Sequence, residues 1–125
     1  MAEEICISLG FRVSPSQSRK DPWDLLINGL RVQVKKRTTN RHRPAMVELR
    51  TAARASGVAY RRGEIDALVI MLDDVWFVFH ASVVANENGD LPNSLRVNSF
   101  SMFRDAWHVL DGATLSVERQ LGFDF

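Results

Sequence analysis

The chain has 125 residues, 46% of them apolar and 25% charged, with 16 Lys/Arg against 15 Asp/Glu for a formal net charge of +1. This suits one domain, 1–125, with its own core, and it excludes disordered and collagen-like chains. The longest apolar run, Ala67–Leu72, is far short of the ~20 residues of a membrane helix, the start is acidic rather than signal-like, and Cys6 has no second cysteine to pair with, so a soluble intracellular protein (cytoplasm or nucleoid) with no membrane partner is expected.

In chain order, residues 2–9 are predicted helical, with Ile5 and Leu9 on one face and Gly10 as the stop signal. Phe11–Ser14 alternates as a strand, and Pro15–Ser18 is loop chemistry. Asp21–Arg37 then places two β-rich runs around Asn28-Gly29, the strongest short-range hairpin signal. Met46–Ala55 fits either a strand ending near Arg50 or a helix capped at Gly57. Ile65–Met71 and Val75–Phe79 read as buried strands joined at Asp73-Asp74. Ala81–Ala85 is a short helical turn, and Leu95–Val97 a short strand after the Asn88-Gly89-Asp90 turn. Phe100–Leu110 is predicted helical, with Phe100, Phe103, Trp107 and Leu110 sharing a face and Gly112 just beyond. Helix, strands, then helix is the order of an α/β (mixed α+β) domain with a central sheet flanked by helices.

A two-residue turn at Asn28-Gly29 pairs Ile27 with Leu30, Leu25 with Val32 and Trp23 with Val34, making one apolar face. The other face then carries Asp24, Leu26, Arg31, Gln33, Lys35 and Arg37. On it Asp24 lies across from Gln33, with Cβ atoms about 5 Å apart, and Lys35 comes next along the strand. A carboxylate and an amide oxygen are hard ligands for a divalent cation such as magnesium, and an ammonium beside them stabilises charge developing on a phosphate. The competing explanation is a plain sheet surface on which Asp24 forms a salt bridge with Lys35 or Arg31.

Charge is unevenly distributed. Residues 19–62 hold twelve Lys/Arg and three acids, a net +9, whereas residues 63–125 are net −7. Such a block attracts polyphosphate, most often nucleic acid; alternatively it is a solvated surface answered by the acidic half. Thr38–Arg43, with Arg37, Arg41 and Arg43, follows the second hairpin strand directly and is the best candidate for a phosphate-contacting loop, with Lys20 and Lys36 as further contacts. His42, His80 and His108 lack metal-ligand spacing, Cys6 reads as a buried thiol, and Trp76, Phe77 and Phe79 read as core.

Asp24 followed by Gln33-Val34-Lys35 on the next strand resembles the Asp…(Asp/Glu/Gln)-x-Lys signature of the PD-(D/E)XK nuclease superfamily. More narrowly, Trp23-Asp24-Leu25-Leu26-Ile27 with Arg31-Val32-Gln33-Val34-Lys35 is similar to the Gln-x-Lys branch, which includes a group I intron homing endonuclease. Gly10–Val13 ahead of the motif, and Tyr60, Gly63–Ile70 and Val75–Phe79 behind it, extend the likeness over roughly residues 2–85. The resemblance implies a restriction-endonuclease-like core whose Asn-Gly hairpin carries the active site. It makes Asp24 the principal metal ligand, puts Gln33 at the second acidic position and the Val34 carbonyl in the metal site, and makes Lys35 the catalytic lysine. Relatives add a glutamate from the first helix well before the Gly-aromatic pair; here only Glu3 and Glu4 precede Gly10, so either one of them, with Glu4 the candidate, substitutes or the metal site is incomplete. The implied activity is magnesium-dependent (or manganese-dependent) endonucleolytic cleavage of DNA, of the homing-endonuclease or Holliday-junction-resolvase type, by a homodimer or higher homo-oligomer. The alternatives are a catalytically inactive DNA-binding module with the same fold, and a DNA repair or restriction nuclease subunit.

Overall fold

The computed structural model describes residues 1–16, 22–39, 46–49, 63–92 and 94–111. Its first element, α1 (Ala2–Ser8), has Glu3 and Glu4 in the first turn, where carboxylates favour the positive end of the helix dipole. Gly10, at φ +82°, ends it in a Schellman turn, with the N–H groups of Gly10 and Phe11 donating to the Ile7 and Cys6 carbonyls at 2.9 and 3.0 Å. The buried residues of α1 are Ala2 and Cys6. Leu9, expected on the core face with Ile5, is instead 50% exposed, because the helix has already ended there. No helix among the described residues is long and apolar enough to cross a membrane.

The strands are β1 (Val13–Pro15), β2 (Leu25–Ile27), β3 (Leu30–Arg37), β4 (Met46–Glu48), β5 (Ala67–Leu72), β6 (Val75–His80) and β7 (Ser94–Arg96). Five of them form a mixed sheet in the order β1-β2-β3-β5-β6, in which only β3 and β5 run parallel. The parallel pair forces the chain to cross over between them, and that crossover carries β4, which pairs with β7 in a separate two-stranded sheet. For Met46–Ala55, residues 46–48 are therefore strand, while 50–55 lie outside the described residues.

Both faces of the five-stranded sheet are covered, which explains the almost unbroken apolar runs of β5 and β6. Alternate residues go to opposite layers. Val32, Ala67, Val69, Trp76 and Val78 join Ala2 and Cys6 of α1, whereas Leu68, Ile70, Leu72, Phe77 and Phe79 meet Val47 and Leu95 from the small sheet and Leu49 just after β4.

Phe100–Leu110 departs from the predicted helix. The chain forms two 3-10 segments, Val97–Phe103 and Trp107–Leu110, separated by Asp105 at φ +51°. The open edge of β6 is the competitor: Arg104 bridges to Phe77, and the Asp105 N–H donates to the Trp76 carbonyl at 2.9 Å. The four residues expected on one face consequently wrap around that edge. Phe100 and Phe103 lie 5.4 and 5.7 Å from the Phe79 ring in one layer, while Trp107 meets Trp76 at 5.5 Å and Leu110 is buried in the other.

Candidate active site

The hairpin positions the site. Asn28 and Gly29, at φ +52° and +84°, form the left-handed pair of a type I′ turn, and the ladder pairs Ile27 with Leu30, Leu26 with Arg31 and Leu25 with Val32, as the sequence predicts. The turn is also clamped sideways: Asn28 Oδ1 accepts the Arg12 N–H, and Asn28 Nδ2 donates to the Leu110 carbonyl, each at 2.9 Å.

The expected continuation of the ladder, Asp24 opposite Gln33 and Trp23 opposite Val34, does not form. Asp24 lies in a bend ahead of β2, and its N–H donates to the Val32 carbonyl at 2.9 Å, so Asp24 and Leu25 both stand against Val32 as in a β-bulge. One extra residue reverses the alternation beyond it. Trp23 accordingly packs against the Leu68, Ile70 and Phe79 layer rather than beside Leu25 and Val32. Among the described residues its buried Nε1 has no hydrogen-bond partner.

Because β2 covers β3 only through Val32, the Gln33–Arg37 stretch has no strand on that side among the described residues. Asp24 takes up this edge with its side chain: Oδ2 accepts the Val34 N–H at 3.0 Å, and the carboxylate remains exposed. Gln33 is 7% exposed and directs Nε2 at the Val34 carbonyl from 3.5 Å, the outer limit of a hydrogen bond. The Asp24 carboxylate and the Gln33 amide therefore meet at the two ends of one residue, Val34. Lys35, two residues beyond Gln33 on the same face of β3, is half-buried. The sequence brought Asp24 and Gln33 together as a cross-strand pair; the structure brings them together through the Val34 backbone.

Arg31, one of the two suggested salt-bridge partners of Asp24, is engaged elsewhere. Its Nε and Nη2 donate to the two carboxylate oxygens of Asp66 at 3.0 Å each, its N–H donates to Asp66 Oδ2 at 2.8 Å, and Nη1 donates to the Gly63 carbonyl. Burial raises the Asp66 pKa, but hydrogen bonds from the Arg31 side chain and backbone and the charges of Arg31 and His80 outweigh it and hold the carboxyl below its ordinary range. Asp73 is likewise held low, by the hydroxyl and N–H of Thr39. Sequence reasoning placed Asp73-Asp74 at the strand junction but gave neither Asp66 nor Asp73 a bonding role; the available signals were an acid just before an apolar strand and an Asp-Asp pair where a tight turn favours glycine. Burial pushes the Cys6 thiol up to about 11, in keeping with an unreactive core residue.

Of the other site candidates, three are described and three lie outside the described residues. Glu4 is exposed in the first turn of α1. Lys36 is exposed and Arg37 half-exposed at the end of β3, whereas Lys20, Arg41 and Arg43 lie outside the described residues. Among the described residues, no three His, Cys, Asp or Glu side chains converge. A divalent cation at Asp24 would thus combine one exposed carboxylate with neutral oxygens, the Val34 carbonyl and Gln33 Oε1 after the amide turns over. This donor set fits magnesium or manganese, which take hard oxygens and retain several waters.

No family model matches the sequence, and no curated protein matches it. Among solved structures, the fold is similar to that of a bacterial homing endonuclease, I-Ssp6803I, with a TM-score of 0.69 over 92% of this chain and 88% of that one at 18% identity: a mixed α/β fold shared by two divergent sequences.

Proposed function

We propose that this chain is a metal-dependent endodeoxyribonuclease of the PD-(D/E)XK type, in its Gln-x-Lys branch, acting as a homing or junction-resolving enzyme. The observation that carries this reading is the meeting of the Asp24 carboxylate and the Gln33 amide at Val34, on the side of β3 that β2 leaves beyond Val32, with Lys35 next on the strand. The likeness of the fold to a homing endonuclease supports it.

Each residue has a distinct task. Asp24 supplies the negative charge, and its bond to the Val34 N–H fixes the carboxylate beside the Val34 carbonyl. Gln33, confined by burial, contributes a neutral donor that adds no charge to repel the phosphate. Bound magnesium or manganese supplies Lewis acidity toward the scissile phosphate. The Lys35 ammonium donates to the attacking water or to a phosphate oxygen, where negative charge develops in the transition state. Lys20, Lys36, Arg37, Arg41 and Arg43 hold the duplex through its phosphates, and Glu4 serves as an additional acidic residue. Two copies are needed to cut two strands, so a homodimer or higher homo-oligomer is part of this reading.

Among the described residues one carboxylate bonds at Val34, which favours one rival, a DNA-binding module that keeps the fold without activity. Incubation with plasmid and with branched DNA, in magnesium, in manganese and in EDTA, separates the two. Cleavage only with metal supports the nuclease; salt-dependent binding with no cleavage under either metal supports the module.

A further inference from the structure

Main-chain groups alternate in direction along β3. The Asp66 and Asp73 N–H groups donate to the Arg31 and Arg37 carbonyls at 2.8 and 3.1 Å, so Arg31 and Arg37, with Gln33 and Lys35 between them, turn their peptide groups toward β5. The Asp24 N–H donates to the Val32 carbonyl at 2.9 Å, and the Val34 N–H donates to Asp24 Oδ2 at 3.0 Å, so the intervening residues face the other way. The Val34 carbonyl and then the Lys36 N–H therefore follow one another along the side of β3 that β2 leaves beyond Val32. The Val34 N–H on this side already holds an oxyanion, the Asp24 carboxylate. The Lys36 N–H is the next donor. Only Lys35 separates it from the Val34 carbonyl, little more than one residue's rise of ~3.3 Å along the strand.

We propose that the Lys36 main-chain N–H binds the phosphate that is cut: it donates to a non-bridging oxygen of a phosphate seated beside the Val34 carbonyl and holds that oxygen as negative charge builds on it. The proposal rests on the reading of the Val34-centred cluster as a nuclease site. The Lys35 side chain leaves the strand through a face of the sheet, whereas the Lys36 N–H lies in the plane of the sheet, so the two donors reach a phosphate from different directions. A donor fixed by strand geometry costs no reorganisation when charge develops, so its contribution lies in the transition state more than in duplex affinity. The task belongs to the main chain, not to the exposed side chain of Lys36.

Proline separates main chain from side chain. At residue 36 it removes an N–H that points away from β5, so the β3–β5 ladder keeps its bonds, a placement that strands tolerate. Lys36→Pro is compared with Lys36→Ala, which loses the side chain and keeps the N–H. Plasmid cleavage in magnesium, manganese affinity from the free-ion EPR signal, binding of a short labelled duplex in EDTA and thermal unfolding are measured for both. Lys36→Pro is expected to cleave on the order of 10²-fold more slowly than Lys36→Ala, with manganese affinity and duplex binding within about twofold of it. Equal cleavage by the two variants overturns the proposal and leaves the nuclease reading standing. If Lys36→Pro also loses manganese or unfolds early, the proline has disturbed the Val34 carbonyl. Replacement of Lys36 by its α-hydroxy acid, which exchanges the N–H for an ester oxygen without fixing φ, then decides: slowed cleavage supports the N–H, and cleavage at the wild-type rate overturns it. A wild-type chain that cuts no DNA with magnesium or manganese overturns the nuclease reading, and the proposal with it.

Discussion

Lys35 and Gln33 sit two residues apart on β3, yet their substitution should have opposite characters. Lys35→Ala removes a charge that matters most in the transition state, so cleavage should fall by roughly 10²–10³-fold while duplex binding in EDTA stays within about twofold, one lysine being a small share of a +9 segment. Parallel cleavage and anisotropy measurements check the split. Gln33→Glu should act through protonation. Gln33 is only 7% exposed, so a carboxyl in its place is desolvated and titrates above its ordinary range. Manganese affinity, followed by loss of the free-ion EPR signal, should match wild type at roughly pH 5 and exceed it increasingly toward pH 8. A pH-independent gain would show that the side chain at this position reaches solvent. At this scale, residue type was legible in the sequence and side-chain placement only partly so. Gln33 and Lys35 fall on the expected face because β3 alternates without interruption, but Trp23 changes layers because Asp24 bonds to Val34 through its side chain and bulges the strand.

Among elements, the bond between β3 and the approach to β5 is the one most exposed to test. Arg31 and Asp66 join the start of each strand: the Asp66 N–H donates to the Arg31 carbonyl, the Arg31 N–H donates to Asp66 Oδ2, and the two side chains form a two-pronged ion pair. Asp66→Asn should cost about 1 kcal/mol of stability, a modest figure because both side chains remain about one-third exposed, at 35% and 33%. The pH dependence has a definite sign. The folded Asp66 pKa is depressed, so its stabilisation is fully present above the unfolded-state pKa and disappears as pH falls through the folded one. Urea denaturation should therefore show wild type losing stability more steeply than Asp66→Asn below the ordinary carboxylate range; parallel acid limbs would contradict the assignment. Elements defined by local chemistry were legible: Asn28-Gly29 reads as a hairpin because its φ demands are met within two residues. Phe100–Leu110 was not, since aromatic spacing of three or four also suits a chain wrapping a strand edge, and the edge of β6 exists only in the assembled sheet.

Across the whole molecule, charge is segregated along the chain, and a nuclease reading assigns each half a role. The basic block 19–62 approaches phosphate, while the net −7 half supplies β5, β6 and the covering layer. Changing Arg41 and Arg43 together to Ala should flatten the log–log salt dependence of duplex binding by about two, at roughly 0.9 per phosphate contact; an unchanged slope removes both from the interface. A central sheet was legible from the order of apolar runs, whereas the β4–β7 sheet was not, because its strands are three residues each and far apart in sequence. The central claim is that the Val34-centred cluster cuts DNA. It is tested most directly by the rate of plasmid cleavage in magnesium for wild type and for Lys35→Ala shown to be folded. Metal-dependent cleavage by wild type and its near-complete loss in the variant are expected; equal rates, or no cleavage by wild type with magnesium or manganese, would contradict it.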